Sequence, residues 1–124
     1  MHRDIKLENI MITQDSNGLP LPKLIDFGLS TILIRGETSR DRYGTLVYSS
    51  PEILLGSFHY QATDIWSLGI LFHLLLVGIF PFLSDDKNIT KRNIVYGKLN
   101  FNSPGWFKVS SAAKDLVTRM LEKR

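Results

Sequence analysis

Apolar positions recur along this chain in three rhythms, each pointing to a different element. Residues 65–83 contain no Asp, Glu, Lys or Arg and are almost wholly apolar. A run of that length meets the requirement for crossing a bilayer. Gly78 and Pro81 interrupt its far end, however, and His73 sits in its middle. Proline removes a backbone donor, and its ring clashes with the preceding turn. With Asp64 as N-cap, the pattern instead predicts a helix of about fourteen residues from Ile65 to Val77 or Gly78. Being apolar on nearly all sides, it belongs at the centre of a core rather than in a membrane.

The last rhythm is amphipathic. Ala113, Leu116, Val117, Met120 and Leu121 fall at helical spacing on one stripe, with Lys114, Arg119 and Lys123 outside it. Ser110 or Ser111 is the expected cap. A shorter helix is expected through Ile94 and Val95, after a loop over 78–88. The first third predicts a β-hairpin: Ile10-Met11-Ile12 and Lys23-Leu24-Ile25 flank the turn-forming Asp15-Ser16-Asn17-Gly18. Pro20 and Pro22 weaken the second arm and leave room for a wider loop. A fold about Asn17-Gly18 pairs residues whose numbers sum to 35, which places Asn9 opposite Asp26. Opposed Cα atoms lie roughly 4.5 to 5.5 Å apart. From 27 to 50 there is little periodicity, and a loop that long inside a compact domain is usually functional.

Composition changes this picture little. The chain has 124 residues, 44% of them hydrophobic, with no cysteine and a formal charge of +3. That apolar content excludes a disordered tail. The lack of cysteine excludes disulfides, thiolate zinc sites and a cysteine nucleophile, and fits a cytoplasmic location. The basic residues are spread rather than clustered, so no nucleic-acid partner is expected. Met1 leads straight into His2-Arg3-Asp4 with no secretory pattern. Asn88-Ile89-Thr90 matches a glycosylation acceptor by chance.

The chemistry gathers at the open end of the hairpin. Asp4, Lys6 and Asn9 lie on one polar stretch before the first strand, and Asp26-Phe27-Gly28 follows the second. A neutral and a charged oxygen ligand together suit Mg²⁺, which completes its shell with water and phosphate. Lys6 adds a positive charge for phosphate oxygens, and Asp4 a carboxylate that can accept a proton. Those parts describe phosphoryl transfer, where positioning and electrostatics supply most of the rate. Taken singly, each is an ordinary solvated turn residue.

Taken in order, His2-Arg3-Asp4-Ile5-Lys6-Leu7-Glu8-Asn9, Asp26-Phe27-Gly28, Gly44-Thr45, Ser50-Pro51-Glu52 and Asp64-Ile65-Trp66-Ser67-Leu68-Gly69 resemble the eukaryotic protein kinase catalytic domain. The resemblance implies a fold that is mainly α with a short β-hairpin, an incomplete protein-kinase-like C-terminal lobe. It divides the chain into a catalytic loop at 2–9, a metal-binding hairpin at 10–28, an activation and substrate-docking loop at 29–52 and a helical subdomain at 53–124.

It also implies roles. Asp4 is the expected catalytic base and Lys6 the contact to the transferred phosphate, with ATP as phosphate donor. Asn9 and Asp26 are the expected Mg²⁺ ligands. Glu8 and Thr45 are expected at the substrate, Glu8 favouring basic residues before a target Ser or Thr. Arg3 beside Asp4 implies regulation by loop phosphorylation, with Thr38 and Ser39 as candidates and Arg35 three residues before Thr38. His2, Phe27, Gly28, Glu52, Asp64, Trp66 and Gly69 are expected to be structural, Asp64 bracing the catalytic-loop backbone. The hairpin insertion at 14–22, Ser50 and Gly78-Ile79-Phe80-Pro81-Phe82 look most like the calcium- and calmodulin-dependent kinase group, which implies calcium-type regulation outside this chain. Leu7 and Leu46-Val47-Tyr48 depart from the usual pattern, the second on the docking surface.

The family's nucleotide-clamping lobe has no counterpart here. The family's pattern would also place an arginine, the partner of the buried glutamate matching Glu52, a few residues past Arg124, which stands in the slot of an aspartate. A buried carboxylate left unpaired costs on the order of 3–5 kcal/mol. The expectation is therefore a kinase-domain fragment, inactive alone. The alternative is a non-catalytic lobe acting as a protein-binding module.

Overall fold

The computed structural model describes residues 1–34 and 36–123; Arg35 and Arg124, which enter two of the expectations above, lie outside the described residues. The described chain is mainly helical, with one two-stranded antiparallel sheet of β1 (Ile10–Gln14) and β2 (Pro20–Leu24). The helices are α1 (Pro51–Leu55), α2 (Ala62–Val77), α3 (Lys87–Tyr96) and α4 (Ser111–Met120), with 3-10 turns at Leu7–Asn9, Leu46–Tyr48 and Pro104–Lys108. No described helix is long and apolar enough to cross a membrane.

The hairpin forms with a register one step from that expected. Ile10 pairs with Leu24 and Met11 with Lys23, so paired numbers sum to 34 rather than 35. Asp15 sets this register. Its carboxylate accepts the N–H groups of Asn17 and Leu19 at 2.8 and 2.9 Å, building a wider loop than a two-residue turn. Asn9 consequently faces Ile25, whose N–H donates to the Asn9 carbonyl at 3.0 Å. Asp26 comes one residue later.

Helix α2 also departs from expectation at its start. It begins at Ala62 instead of Ile65, after Gln61, which already has a helical backbone and forms no side-chain cap. Asp64 lies within the first turn, where a carboxylate complements the positive end of the helix dipole. The far end is as expected: Gly78 takes a left-handed φ of 78° and closes the helix. Trp66, Gly69, Ile70, Leu71 and His73 are buried, but Ile65, Leu68 and Leu75 remain 50%, 38% and 63% exposed. The core thus covers α2 on part of its circumference instead of surrounding it; α4 and the turns Leu46–Tyr48 and Pro104–Lys108 supply the packing. Gly69 permits the approach of α4; a Cβ there would lie 2.9 Å from Leu121 Cδ2 and Met120 Cβ.

Helices α3 and α4 follow their caps. Asp86 accepts from the N–H groups of Asn88 and Ile89 at the start of α3, and Ser110 accepts from Ala113 at the start of α4. Lys123 donates to the carbonyls of Asn93 and Gly97 at the end of α3, placing a cation at the negative pole of that helix. Partial burial of the ammonium lowers its pKa from the ordinary value.

Two polar groups in the core carry predictions. Ser50 is completely buried just before α1, and its hydroxyl has no hydrogen-bond partner among the described residues. Ser50→Ala removes an orphaned donor and loses no cap, so it is expected to raise stability by about 1 kcal/mol in urea unfolding. A lower midpoint would show that the hydroxyl is bonded after all.

His73 is 2% exposed, packs edge-on against Trp106 and donates from Nδ1 to the Ile79 carbonyl at 2.9 Å. Burial pushes its pKa below the ordinary value of 6.5 and outweighs that hydrogen bond. The unfolded chain therefore binds this proton at a higher pH than the folded one. Stability contributed by neutral His73 is complete above the unfolded value and is lost as pH falls through the lower folded value. Urea midpoints measured from pH 7.5 downward are expected to fall less steeply in His73→Gln, which keeps an amide donor and does not titrate.

Candidate active site

The 3-10 turn Leu7–Asn9 runs directly into β1, and the residues before it are fixed from below by α2. The Asp64 carboxylate accepts the backbone N–H of His2 at 2.7 Å and of Arg3 at 2.9 Å, one on each oxygen. Arg3 has φ 71° and Asp26 has φ 60°, the only non-glycine residues in the left-handed region among those described. Such conformations cost on the order of 1–3 kcal/mol each and persist where surrounding contacts over-determine them. Arg3 has that support from Asp64.

Asp4 is the hub of the site. Its Oδ2 accepts from Lys6 Nζ at 2.7 Å and from Asn9 Nδ2 at 3.2 Å, while Oδ1 lies 3.5 Å from Thr45 Oγ1. Asn9 Nδ2 also donates to the Asp4 carbonyl at 2.9 Å, and Lys6 Nζ reaches Thr45 Oγ1 at 3.4 Å. Three residues from two separate segments thus converge on one carboxylate. Asp4 raises the Lys6 pKa, chiefly by this hydrogen bond, with Glu8 and Asp26 adding weaker charge effects. Lys6 is therefore a firmly protonated cation.

The remaining residues sit around this hub. Asp26 is exposed at the end of the hairpin, and its Oδ1 accepts the Gly28 N–H at 3.2 Å. Phe27 meets the buried His2 ring edge-on at 4.9 Å yet stays 62% exposed. His2 Nε2 donates to the Ile25 carbonyl at 3.1 Å, joining the segment before β1 to the hairpin. Glu8 and Thr45 are exposed. Arg3 donates to the Leu29 carbonyl and to Asp41. Thr38 is exposed, whereas Ser39 is bridged through its backbone to His59. Trp66 is 3% exposed and stacks on Phe82 at 5.9 Å.

Glu52 corrects an expectation. It is half-buried and opens onto a groove lined by Phe58, Tyr60, Ile65 and Trp66. A carboxylate that meets solvent there does not carry the cost of an unpaired buried charge.

Three contacts had no local signal in the linear pattern. Asp41 pairs with Arg3 at 2.9 Å, and the buried Tyr48 places its hydroxyl 3.5 Å from the Leu7 N–H while its carbonyl accepts from Ser67 Oγ at 2.9 Å. Arg3 needed an anion, which was the only available pointer to Asp41.

The donor set fits a hard cation. Because the Asn9 amide nitrogen is committed to Asp4, its oxygen has no partner among the described residues; the second Asp26 oxygen is likewise unbonded there. One neutral and one anionic oxygen leave most of an octahedral shell to water and phosphate.

Residues 1–124 match the protein kinase domain family. Calcium-dependent protein kinases 14 and 22 of Oryza sativa subsp. japonica are 40% and 43% identical over 121 and 122 residues. Calcium-dependent protein kinase 25 of Arabidopsis thaliana is 41% identical over 123 residues. These alignments take in 98–99% of this chain but only 21–23% of each relative, so the chain spans less than a quarter of their length. With that match over its whole extent, and with calcium-dependent protein kinases among its relatives, the chain belongs to the protein kinase domain family.

Proposed function

We propose that this segment supplies the catalytic and substrate-docking half of an ATP- and Mg²⁺-dependent serine/threonine protein kinase. The observation that carries the reading is the convergence of Lys6, Asn9 and Thr45 on the Asp4 carboxylate. Asp4 Oδ1, which is only loosely held by Thr45, is free to take the proton of a substrate hydroxyl. The hydroxyl oxygen then bonds to the terminal phosphorus as the bond to the departing diphosphate breaks. Lys6 stays protonated beside Asp4 and holds negative oxygens of the transferred group.

Asn9 and Asp26 are the residues that would hold Mg²⁺, whose chemistry is to offset phosphate charge. Glu8 on the exposed turn favours a basic residue before the target, and Thr45 lies where the target hydroxyl would approach. Arg3 anchors the loop over 29–52; exposed Thr38 and bridged Ser39 are the hydroxyls we assign to its regulation. His2, Phe27, Gly28, Glu52, Asp64, Trp66 and Gly69 keep these groups in place. The substrate class is cytoplasmic protein, with calcium-type regulation supplied outside this chain.

The test is transfer of labelled terminal phosphate from ATP to a basic Ser/Thr peptide by the polypeptide in which this segment lies. Magnesium-dependent label on Ser or Thr is expected, and no transfer under any divalent cation would reject the reading. The open face of α2, with Ile65 and Leu75 at least half exposed, favours a second reading as a non-catalytic protein-binding module. Specific capture of a kinase or substrate by the 124-residue chain, with no phosphate transfer by the longer protein, would favour it.

A further inference from the structure

We propose that the outer face of α3 binds an anionic lipid surface and lies flat against it. The inference is independent of the phosphoryl-transfer reading and starts from charge. Residues 87–114 carry Lys87, Lys91, Arg92, Lys98, Lys108 and Lys114 and no Asp or Glu. These cations are too widely spaced to form a basic run, so the excess shows only in the missing acids. Six of the 15 Lys and Arg lie in this stretch and all 12 Asp and Glu lie outside it, so the net charge of +3 originates here. None of the six forms an ion pair among the described residues. At the borders, Asp85 lies before the helix, Asp86 is spent on capping it, and Asp115 pairs with Arg119 at 2.9 Å.

The second observation is apolar. Ile89, Tyr96 and Phe107 are 45%, 75% and 76% exposed within the same stretch. Thr90 and Ile94 form the buried side of α3. Helical spacing sets Ile89, Arg92 and Tyr96 along the opposite side, with Lys91 on its flank. This line runs the length of the helix. The clefts lined by Phe58 and Trp66, by Tyr43 and Tyr48, and by Met1 and Phe27 take no residue from the stretch. A small anion or a peptide is held by polar groups converging in a concave site. Separated cations with apolar side chains between them suit a broad, deformable layer instead. There the rings sit at headgroup level, and the long basic side chains lay their stems on apolar surface while their charges reach lipid phosphates.

The fold does not need this face. Thr90 Oγ1 accepts the Ser84 N–H at 3.0 Å, Asn93 Nδ2 donates to the Phe82 carbonyl at 3.3 Å, and Lys123 closes the far end of α3. Substitutions at 91, 92 and 96 should therefore leave folding intact.

Co-sedimentation of the 124-residue chain with vesicles tests the proposal without relying on activity. Binding is expected to vesicles of phosphatidylcholine with phosphatidylserine and not to phosphatidylcholine alone, and half-molar NaCl should release it. Lys91→Gln and Arg92→Gln should each weaken binding about fivefold. Lys23→Gln, the same charge change on exposed β2, should have little effect. Tyr96→Ala should weaken binding but leave it dependent on phosphatidylserine. In Tyr96→Trp the new indole should shift its emission to the blue on binding and be quenched by brominated lipid, while Trp66 and Trp106 stay buried. Equal binding to neutral vesicles would overturn the proposal, as would a loss in Lys23→Gln matching that in Arg92→Gln. If a polyglutamate peptide binds more tightly than the phosphatidylserine vesicles and leaves Tyr96→Trp emission unshifted, the face belongs to an acidic protein partner and the lipid assignment is wrong.

Discussion

Asp4→Asn, placed in an active kinase that carries this segment, is expected to lower the rate of peptide phosphorylation by about 10²–10⁴-fold, the usual worth of a positioned general base. In barrier terms this is roughly 3–5 kcal/mol at 1.36 kcal/mol per decade. The substitution is close in shape, so the side chain can still meet Asn9 and Thr45, which now stand 3.2 and 3.5 Å from the carboxylate. It loses the ability to take a proton. It also removes the charge that keeps the Lys6 pKa raised, so Lys6 is released from its 2.7 Å contact as well. The loss should fall on kcat, with the KM for peptide nearly unchanged, as expected of a base that acts where charge develops and not in holding the peptide. Thermal midpoints should change little, since the fold-bracing carboxylate is Asp64. Activity within tenfold of the parent would remove Asp4 from the role of base.

The two halves of this site differed in how far the linear pattern exposed them. Asp4, Lys6 and Asn9 lie within one short segment, so a turn sufficient to reach β1 also brings them together. Asp26 depends on the hairpin, and there pattern reasoning slipped by one residue. Asn17-Gly18 carries the local signal of a tight turn, but the Asp15 side chain spends its carboxylate on Asn17 and Leu19 and widens the loop. A one-residue shift turns every side chain of a strand to the other face. Asn9 thus lies opposite Ile25, and Asp26 gains its position from a left-handed backbone instead of from the ladder.

The helices show the same division. Spacing and the Ser110 cap located α4, whereas α3 was expected only through Ile94 and Val95 and in fact starts at Lys87, inside the stretch expected as loop, where Asp86 caps it. Local signals could not reveal that Asp64 turns away from capping α2 to hold residues 2 and 3, since that partnership spans about sixty positions of chain. Nor could composition alone reveal which side of an all-apolar helix is covered. Leu75 and Ile70 are equally hydrophobic letters, yet one is 63% exposed and the other fully buried.

Trp106→Ala is the substitution expected to cost the fold most, about 3–5 kcal/mol of unfolding free energy. The indole is fully buried in the Pro104–Lys108 turn, 5.0 Å from the His73 ring and 4.7 Å from Phe101. The turn cannot slide inward to fill the space: a Cβ on Gly105 would already stand 3.0 Å from Val77 Cβ, so the backbone is tight against the end of α2. A small domain has roughly 5–15 kcal/mol in total, which places the variant near the edge of cooperative unfolding. Trp106→Phe is the informative companion. The indole N–H has no partner among the described residues, so a phenyl ring keeps most of the edge contacts and removes an unsatisfied donor. It should lose clearly less than the alanine variant in the same urea titration. The alanine cavity also lies beside His73, whose pKa is lowered by burial. Water admitted there would return that pKa toward its ordinary value, so the acid-side loss of stability seen in the parent should shrink in Trp106→Ala. A loss below about 1 kcal/mol, well under the range for large aromatic deletions, would mean that the core closes over the gap and that Trp106 does not set it.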